Sequence, residues 1–233
     1  MKLALIGHGA MGQLIENQAR AAGDQIGAIL TSRDSALSVV DEMAASLTGH
    51  DVVIDFSVGS AVARNVEACA LAGVPLVEGT TGWKDDEAEV RRIVAERSGA
   101  LVYGANFSVG INVFYKIAAQ AAKLMAQLDQ YEVFMEEQHH SRKRDVPSGT
   151  ALKLKELMAE HIKVAIPIAS TRAGNIPGTH RVGFDSAADQ ITLTHLARSR
   201  AGFGAGALLA ARWIVGRNGM FEFSEVIDEI LTQ

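Results

Sequence analysis

Two stretches of this 233-residue chain hold residue types that could do chemistry. The first is Glu137-Gln138-His139-His140-Ser141-Arg142-Lys143-Arg144-Asp145-Val146-Pro147-Ser148-Gly149-Thr150, where two histidines and three cations fall within six positions of an acidic protein. Histidine changes charge near neutral pH, so it can give and take a proton under working conditions. Pro147 and Ser148 read as the start of a helix, with Pro suited to the first turn and Ser or Thr to the cap. Free N–H groups at such a start, beside Lys143, could hold a carboxylate on Gly149 and Thr150. A solvated charged loop is the competing reading and stays open at this point. A nucleic-acid patch is disfavoured, because no aromatic residues are interleaved and the net charge is −5. Adjacent His139 and His140 without a Cys, Asp or Glu at ligand spacing make a poor zinc signature, so no metal is expected.

The second stretch is Gly7-His8-Gly9-Ala10-Met11-Gly12. It follows a short apolar run and opens a helical pattern, which is the setting a dinucleotide-binding turn requires. Gly7 permits the tight turn, Gly9 lets backbone approach a pyrophosphate, and Gly12 lets helix and strand pack closely. The diphosphate would rest on the N–H groups at the helix start. In NAD-preferring sites an acid about 20 residues on takes the ribose hydroxyls, whereas Arg suits a 2′-phosphate. Here Thr31-Ser32-Arg33-Asp34 follows the second apolar run, with no acid at its tip. Ser32 and Arg33 could bond a phosphate, and Asp34 could serve ribose if the strand runs longer. The balance favours NADPH over NADH as cofactor. Gly79-Thr80-Thr81-Gly82 and Gly104-Ala105-Asn106-Phe107 follow later apolar runs in the same way, at the sheet edge where open α/β folds bind ligands. Ordinary turn chemistry is the other reading of both.

The elements that must position these residues alternate in period. Leu3–Ile6, Ile26–Leu30, Val52–Phe56, Leu76–Val77 and Leu101–Tyr103 are compact apolar runs, as strands buried on both faces read. Helical patterns lie between them at Ala10–Ala22, Ser35–Leu47, Ser60–Ala72 and Asp85–Arg97. Such alternation predicts right-handed crossovers and a parallel sheet. After Asn106 the pattern changes. Helices are expected at Asn112–Leu128 and Thr150–Ile162, and strands at Tyr131–Glu137, Ile166–Thr171, His180–Asp185 and Gln190–Leu196. These strands read as antiparallel with at least one open face. Gly206–Val215 and Ser224–Leu231 close the chain as helices. The predicted fold class is α/β: a Rossmann-like parallel sheet domain with an inserted α+β domain. Residues 1–106 form the dinucleotide-binding domain, 107–204 the inserted one, and 205–233 return to the first.

Composition is that of an ordinary globular protein, with 48% apolar and 21% charged residues. No run of about 18 uncharged apolar residues occurs, so no membrane span is expected. The first apolar run is too short for a signal sequence, and the lone Cys69 fits a reducing compartment. A cytoplasmic location is the expectation. Cys69 reads as core, and His50, His161, His180 and His195 read as structural or surface, with His180 near substrate as a further option.

The chain resembles the bacterial 4-hydroxy-tetrahydrodipicolinate reductases, the dihydrodipicolinate reductases of lysine and diaminopimelate synthesis, over nearly its whole length. The resemblance rests on GHGAMG at Gly7, Val77-Glu78-Gly79-Thr80-Thr81-Gly82, Ala105-Asn106-Phe107-Ser108-Val109-Gly110 and Glu137–Ala151, with Arg172–His180 and Ser199–Phe203 as later matches. It implies NAD(P)H-dependent reduction of a small cyclic dicarboxylate by a homotetramer joined through the sheets of its second domains. It implies His139 as proton donor and acceptor, Lys143 as proton donor, and His140, Gly149 and Thr150 in substrate binding. It implies Gly7–Gly12, Gly79–Thr81 and Gly104–Phe107 in cofactor binding. Three features depart from the family pattern. Ser141 and Arg142 stand where many members carry Arg-His, the glycine loop is one residue shorter than in many, and the tip of the second strand lacks their common acid. Another two-domain oxidoreductase, such as an amino-acid dehydrogenase, and a redox-sensing module are the rival functions. The sensing module would need a partner-reading element, and the sequence shows none.

Overall fold

The computed structural model describes residues 1–34 and 39–232. They form two compact units, one of Met1–Val109 with Ala201–Gln233 and one of Gly110–Arg200. In the first unit the apolar runs become β1 (Lys2–Ile6), β2 (Gln25–Leu30), β3 (Val52–Asp55), β4 (Leu76–Glu78) and β5 (Ala100–Tyr103). The helices of this unit are α1 (Ala10–Ala21), α2 (Val40–Leu47), α3 (Val62–Ala72), α4 (Glu87–Glu96), α7 (Ala201–Ile214) and α8 (Phe223–Thr232). The pattern at Ser35–Leu47 is helical from Val40 on, and its first four residues lie outside the described ones. A strand absent from the sequence reading, β10 (Gly219–Glu222), pairs parallel with β5 at the sheet edge. Gly-Met-Phe-Glu is too short and too mixed to register as an apolar run.

The first sheet is six-stranded, in the order β10-β5-β4-β3-β1-β2, and every pair in it is parallel. Four of the five residues of β1 and all of β3 and β4 are buried, so β-branched and Leu side chains fill both faces. β1 leads through α1 to β2 on one side, while β3 lies on its other side. Ligands of open α/β sheets bind at that switch in strand order, beyond the carboxyl ends of the strands. The turn after β1 is built for close approach. Gly7 has φ +85°, and a Cβ there would sit 2.5 Å from Phe56 O. A Cβ on Gly12 would collide with Gly7 O, whereas one on Gly9 would meet nothing.

The second unit holds most of α5 (Val109–Met125), then β6 (Glu132–His139), α6 (Gly149–Ala159), β7 (Ile168–Arg172), β8 (Thr179–Asp185) and β9 (Gln190–Leu196). Its sheet runs β7-β6-β8-β9. The β6–β8 and β8–β9 pairs are antiparallel as expected, but β7 runs parallel to β6, so the sheet is mixed. Residue alternation cannot separate the two directions, because both put successive side chains on opposite faces. Phe114 and Ala118 of α5 and Leu154 and Met158 of α6 bury one face, against Met135, Val182 and Phe184. The opposite face carries Phe134, with the Arg181 guanidinium 5.8 Å from its ring centre, and the Arg181–Glu136 ion pair at 3.1 Å.

The glycine turn yields a direct expectation. Gly7→Ala should cost about 1–3 kcal/mol of unfolding free energy, because the φ and the Phe56 carbonyl both oppose a Cβ. Gly9→Ala should change stability by less than about 1 kcal/mol, since its φ is −75° and its surroundings are open. Chemical denaturation checks both, and equal losses would contradict this account of the turn.

Candidate active site

The cleft at the switch point has a volume of about 830 Å³ and is lined by Gly7, His8, Gly9, Arg33, Ser57 and Arg64, among others. Gly9 caps α1 without a side-chain bond, and the first turn holds no acid, so its N–H groups and dipole face the cleft uncompensated. Ala10 and Met11 open the helix. The His8 ring is turned to Glu16, 2.7 Å away, and its carbonyl accepts from Gln13 Nε2 at 3.2 Å. β2 ends at Leu30, and Asp34 folds back to accept from Thr31 N at 2.6 Å and Thr31 Oγ1 at 2.9 Å. Those two bonds hold the Asp34 carboxyl below its usual range, and they engage the acid that sequence reading kept in reserve for ribose. Ser32 and Arg33 line the cleft on exposed positions. Arg64 of α3 joins them, and its buried Nε has no hydrogen-bond partner.

The turns after β4 and β5 stand at the same sheet edge. Gly79 lies against the Phe56 ring, which a Cβ would strike. Thr80 is buried and fully bonded: its Oγ1 accepts from Ser57 N at 3.0 Å and its carbonyl from Trp83 Nε1 at 2.9 Å. Thr81 is exposed. Gly104 packs on Phe223, Ala105 is exposed, and Asn106 Oδ1 accepts from Ser108 N at 2.9 Å. Phe107 is a core ring, 4.7 Å from Phe223 and 6.1 Å from Phe56, so any contact it makes with a ligand is through backbone.

In the second unit, alternation along β6 sends Val133, Met135, Glu137 and His139 inward. Glu137 is the hub. Its Oε1 accepts from Arg172 Nη2 at 2.6 Å and from Ser148 N at 3.3 Å, and its Oε2 lies 2.5 Å from His139 Nδ1. Burial raises the Glu137 pKa, but the nearby Arg172, Ser170 and Ser148 outweigh it and hold the group at about 2. Glu137 is therefore ionised and accepts only, which favours the His139 tautomer with its proton on Nδ1, facing the carboxylate, and the lone pair on Nε2. Burial lowers the His139 pKa, opposed by Glu137 and assisted by Lys143 and Arg172. His180, across the sheet, has its ring 5.1 Å from that of His139 and its Nε2 3.2 Å from Ser148 Oγ.

Ser148 is the cap, as its residue type suggested, and its Oγ accepts from Ala151 N at 3.2 Å, but Pro147 does not enter the first turn. Pro147 lies outside the helix behind a cis bond, and Gly149 and Thr150 are its first residues. The Thr150 side chain bonds Tyr115 of α5. Lys143 reaches not solvent but Asp145, at 2.8 Å, and the Gly149 backbone N–H faces the same carboxylate. The cluster is thus a pinned loop: Ser141 N donates to Gly174 O at 3.2 Å, Arg142 to Asn175 Oδ1 at 3.2 Å, and Arg172 to Asp145 O at 2.6 Å. His140 follows the end of β6, with a buried, unpartnered Nδ1. Glu137, His139 and His180 offer three ligand atoms within 4.8 Å of one another. Glu137 is already neutralised by Arg172, and that cation argues against a second one beside it.

Sequence reading missed Glu137, Arg172 and Arg64 as site residues. Glu137 and Arg172 both stood in segments that carried the family resemblance, and strand alternation puts Glu137 on the face of His139. Nothing local marks Arg64, which one turn of α3 brings to the cleft.

The family model for dihydrodipicolinate reductase, N-terminus, matches residues 1–107, and that for its C-terminus matches residues 110–227. A 4-hydroxy-tetrahydrodipicolinate reductase of Christiangramia forsetii is 36% identical across 99% of both chains. One of Anaeromyxobacter sp. is 38% identical, covering 88% of this chain and 84% of that one. Among solved structures, a dipicolinate-bound dihydrodipicolinate reductase of Paenisporosarcina sp. TG-14 superposes with a TM-score of 0.82 at 20% identity, over 97% of this chain and 99% of that one.

The electrostatics of the second unit set an acid limit on stability. Burial pushes His180 from 6.5 down to about 4, so the native state refuses a proton that the unfolded chain accepts. Stability should fall as pH drops through that interval, by about 2–3 kcal/mol from this residue. Glu137 adds stability that is present above 4.5 and lost as pH falls toward about 2. Denaturant unfolding at stepped pH should show both declines, and His180→Gln should remove the first. A stability that stays flat down to pH 4 would contradict a buried neutral His180.

Proposed function

We propose the reaction of this chain from the premise that it belongs to the dihydrodipicolinate reductase family. It is an oxidoreductase that reduces 4-hydroxy-tetrahydrodipicolinate to tetrahydrodipicolinate with NAD(P)H, in the diaminopimelate route to lysine. The first unit is the cofactor domain and the second the substrate domain. Gly7–Gly12, Ser32, Arg33, Gly79–Thr81 and Gly104–Phe107 bind the dinucleotide, and Arg64 joins them as a phosphate contact. Open space at Gly9 and the unpartnered Arg64 Nε support the fit. Two cations in the cleft, with Asp34 engaged by Thr31, support NADPH over NADH. When bound, the cofactor supplies the hydride.

The observation that carries the substrate assignment is the carboxylate already in the anion site. Asp145 holds Lys143 and the Gly149 N–H, the two groups that sequence reading offered to a carboxylate. A substrate carboxylate replaces Asp145 there, with Thr150 N–H and His140 completing the set. Reduction leaves a carbon centre that must gain a proton. His139 first takes a proton from solvent at its free Nε2 and then passes it to that centre, while Glu137 faces Nδ1 and stabilises the imidazolium so formed. Lys143 adds positive charge and serves as a second proton donor. The open face of the β6–β9 sheet supports association through these sheets into a homotetramer, and the buried thiol of Cys69 suits the cytoplasm. No helix among the described residues is long and apolar enough to cross a membrane.

The test is oxidation of NADPH and NADH with freshly generated 4-hydroxy-tetrahydrodipicolinate. Turnover with both and a higher kcat/KM for NADPH are expected. His139→Gln should lower kcat by about 10²–10⁴-fold with little change in NADPH affinity. Lys143→Ala should weaken pyridine-2,6-dicarboxylate binding by about ten- to a hundredfold, the loss of one charge-assisted bond. Near-normal turnover of the His139 variant would refute its role, and unchanged analogue affinity would move the anion site elsewhere.

A further inference from the structure

Two acids lie under the cofactor turns and take no part in the chemistry above. Asp55 ends β3, Glu78 ends β4, and the two are register partners in the sheet. Both are fully buried. Asp55 Oδ2 accepts from Asn65 Nδ2 at 2.6 Å, and Glu78 Oε1 accepts from Thr80 N at 2.7 Å. One oxygen of each remains, Asp55 Oδ1 and Glu78 Oε2, buried with no donor. Register places the two carboxyl groups side by side, close enough to influence each other. Two ionised carboxylates could not bond each other, because each can only accept. One proton between them satisfies both leftover oxygens and halves the buried charge.

We propose that Asp55 and Glu78 share one proton, and that this bond is the positioning element that holds the turns after β3 and β4 in the form that receives the dinucleotide. The inference rests on the assignment of those turns to the cofactor. The connections run outward from the pair. Asn65 also reaches Ser57 Oγ at 3.4 Å, Ser57 N donates to Thr80 Oγ1, and Gly79 N donates to Asp55 O at 2.9 Å. Asp55, Glu78 and Asn65 thereby tie Ser57, which lines the cleft, to Gly79 and Thr80.

The groups around the pair favour the proton. Burial is the largest influence on both acids and raises both, and for Glu78 the charge of Asp55 raises it further. From α3 come Asn65, which is neutral, and Cys69, whose thiol burial and the two acids push up. On β5, Tyr103 is the register partner of Glu78, and its phenol lies near Arg91, Glu87 and Glu222. The turn after β4 brings Thr80 and Trp83. α7 packs on β3 and β4, and its buried residues are Gly, Ala, Leu and Ile only. No basic side chain sets the acidity of either group. Loss of the proton at alkaline pH would leave two facing carboxylates and force the turns apart.

The experiment measures NADPH affinity of the full chain by fluorescence titration, from neutral to alkaline pH. The wild type should weaken by about tenfold or more as the pair ionises. Glu78→Gln keeps the shape, accepts from Thr80 N and donates permanently to Asp55, so its affinity should stay at the neutral wild-type value across the range. Glu78→Leu leaves Asp55 Oδ1 without a partner and should bind weakly throughout. An alkaline decline in Glu78→Gln equal to that of the wild type would overturn the proposal, as would wild-type affinity in Glu78→Leu. Infrared spectroscopy adds a reading independent of the ligand: a protonated-carboxyl stretch at neutral pH in the wild type, absent in Glu78→Gln. A band that persists in that variant also overturns the shared proton. Failure of the wild type to bind NADPH at all would count against the cofactor assignment instead, and the band would still decide the pair.

Discussion

The ionised carboxylate of Glu137 organises the second unit. It is a fully buried charge, and an isolated one would be untenable in an apolar interior. Arg172 neutralises it, Ser148 N–H solvates it, and His139 Nδ1 completes its shell. Each of these partners then acquires a duty. Arg172 reaches on to Asp145 O and so places the loop that carries Lys143. Ser148 caps α6 and presents Gly149 and Thr150 at the helix start. His139 turns Nδ1 to the carboxylate, which favours the tautomer with the lone pair on Nε2. One buried charge thus joins His139 to the Lys143 loop and the start of α6.

The two units apply the same device with opposite outcomes. Glu137 stays charged because a guanidinium lies beside it. Asp55 and Glu78 have no cation, and the lower-energy solution is one proton for two carboxyl groups. Both arrangements lock strand ends and the turns beyond them. They hold His139 and the turns after β3 and β4 against fixed partners rather than mobile chain.

Much of this was legible in the residues. Strand and helix positions in the first unit followed from compact apolar runs between glycines, because a strand buried on both faces must be apolar throughout. The glycine turn and the helix start at Ser148 followed from local chemistry. What escaped depends on contacts distant in sequence. Glu137 and Arg172 lie 35 residues apart and meet only because β7 pairs parallel with β6, a direction that alternation does not encode. Asp55 and Glu78 look like ordinary strand-end acids until register places them side by side. Lys143 reads as a cation for a carboxylate or for solvent, and its actual partner, Asp145, comes from the turn that Arg172 pins. Edge strand β10 failed for another reason, since a short strand covered on one side needs few apolar residues.

The central claim is that Glu137 holds His139 as the Nδ1–H tautomer with a pKa below the usual 6.5. Nitrogen-15 NMR of the His139 ring, titrated in the full chain, reads both quantities directly. The account predicts a protonated Nδ1, an unprotonated Nε2 at neutral pH and a titration midpoint below 6.5, shifted lower still in Glu137→Gln. A ring with its proton on Nε2, or a midpoint at or above 6.5, would contradict it.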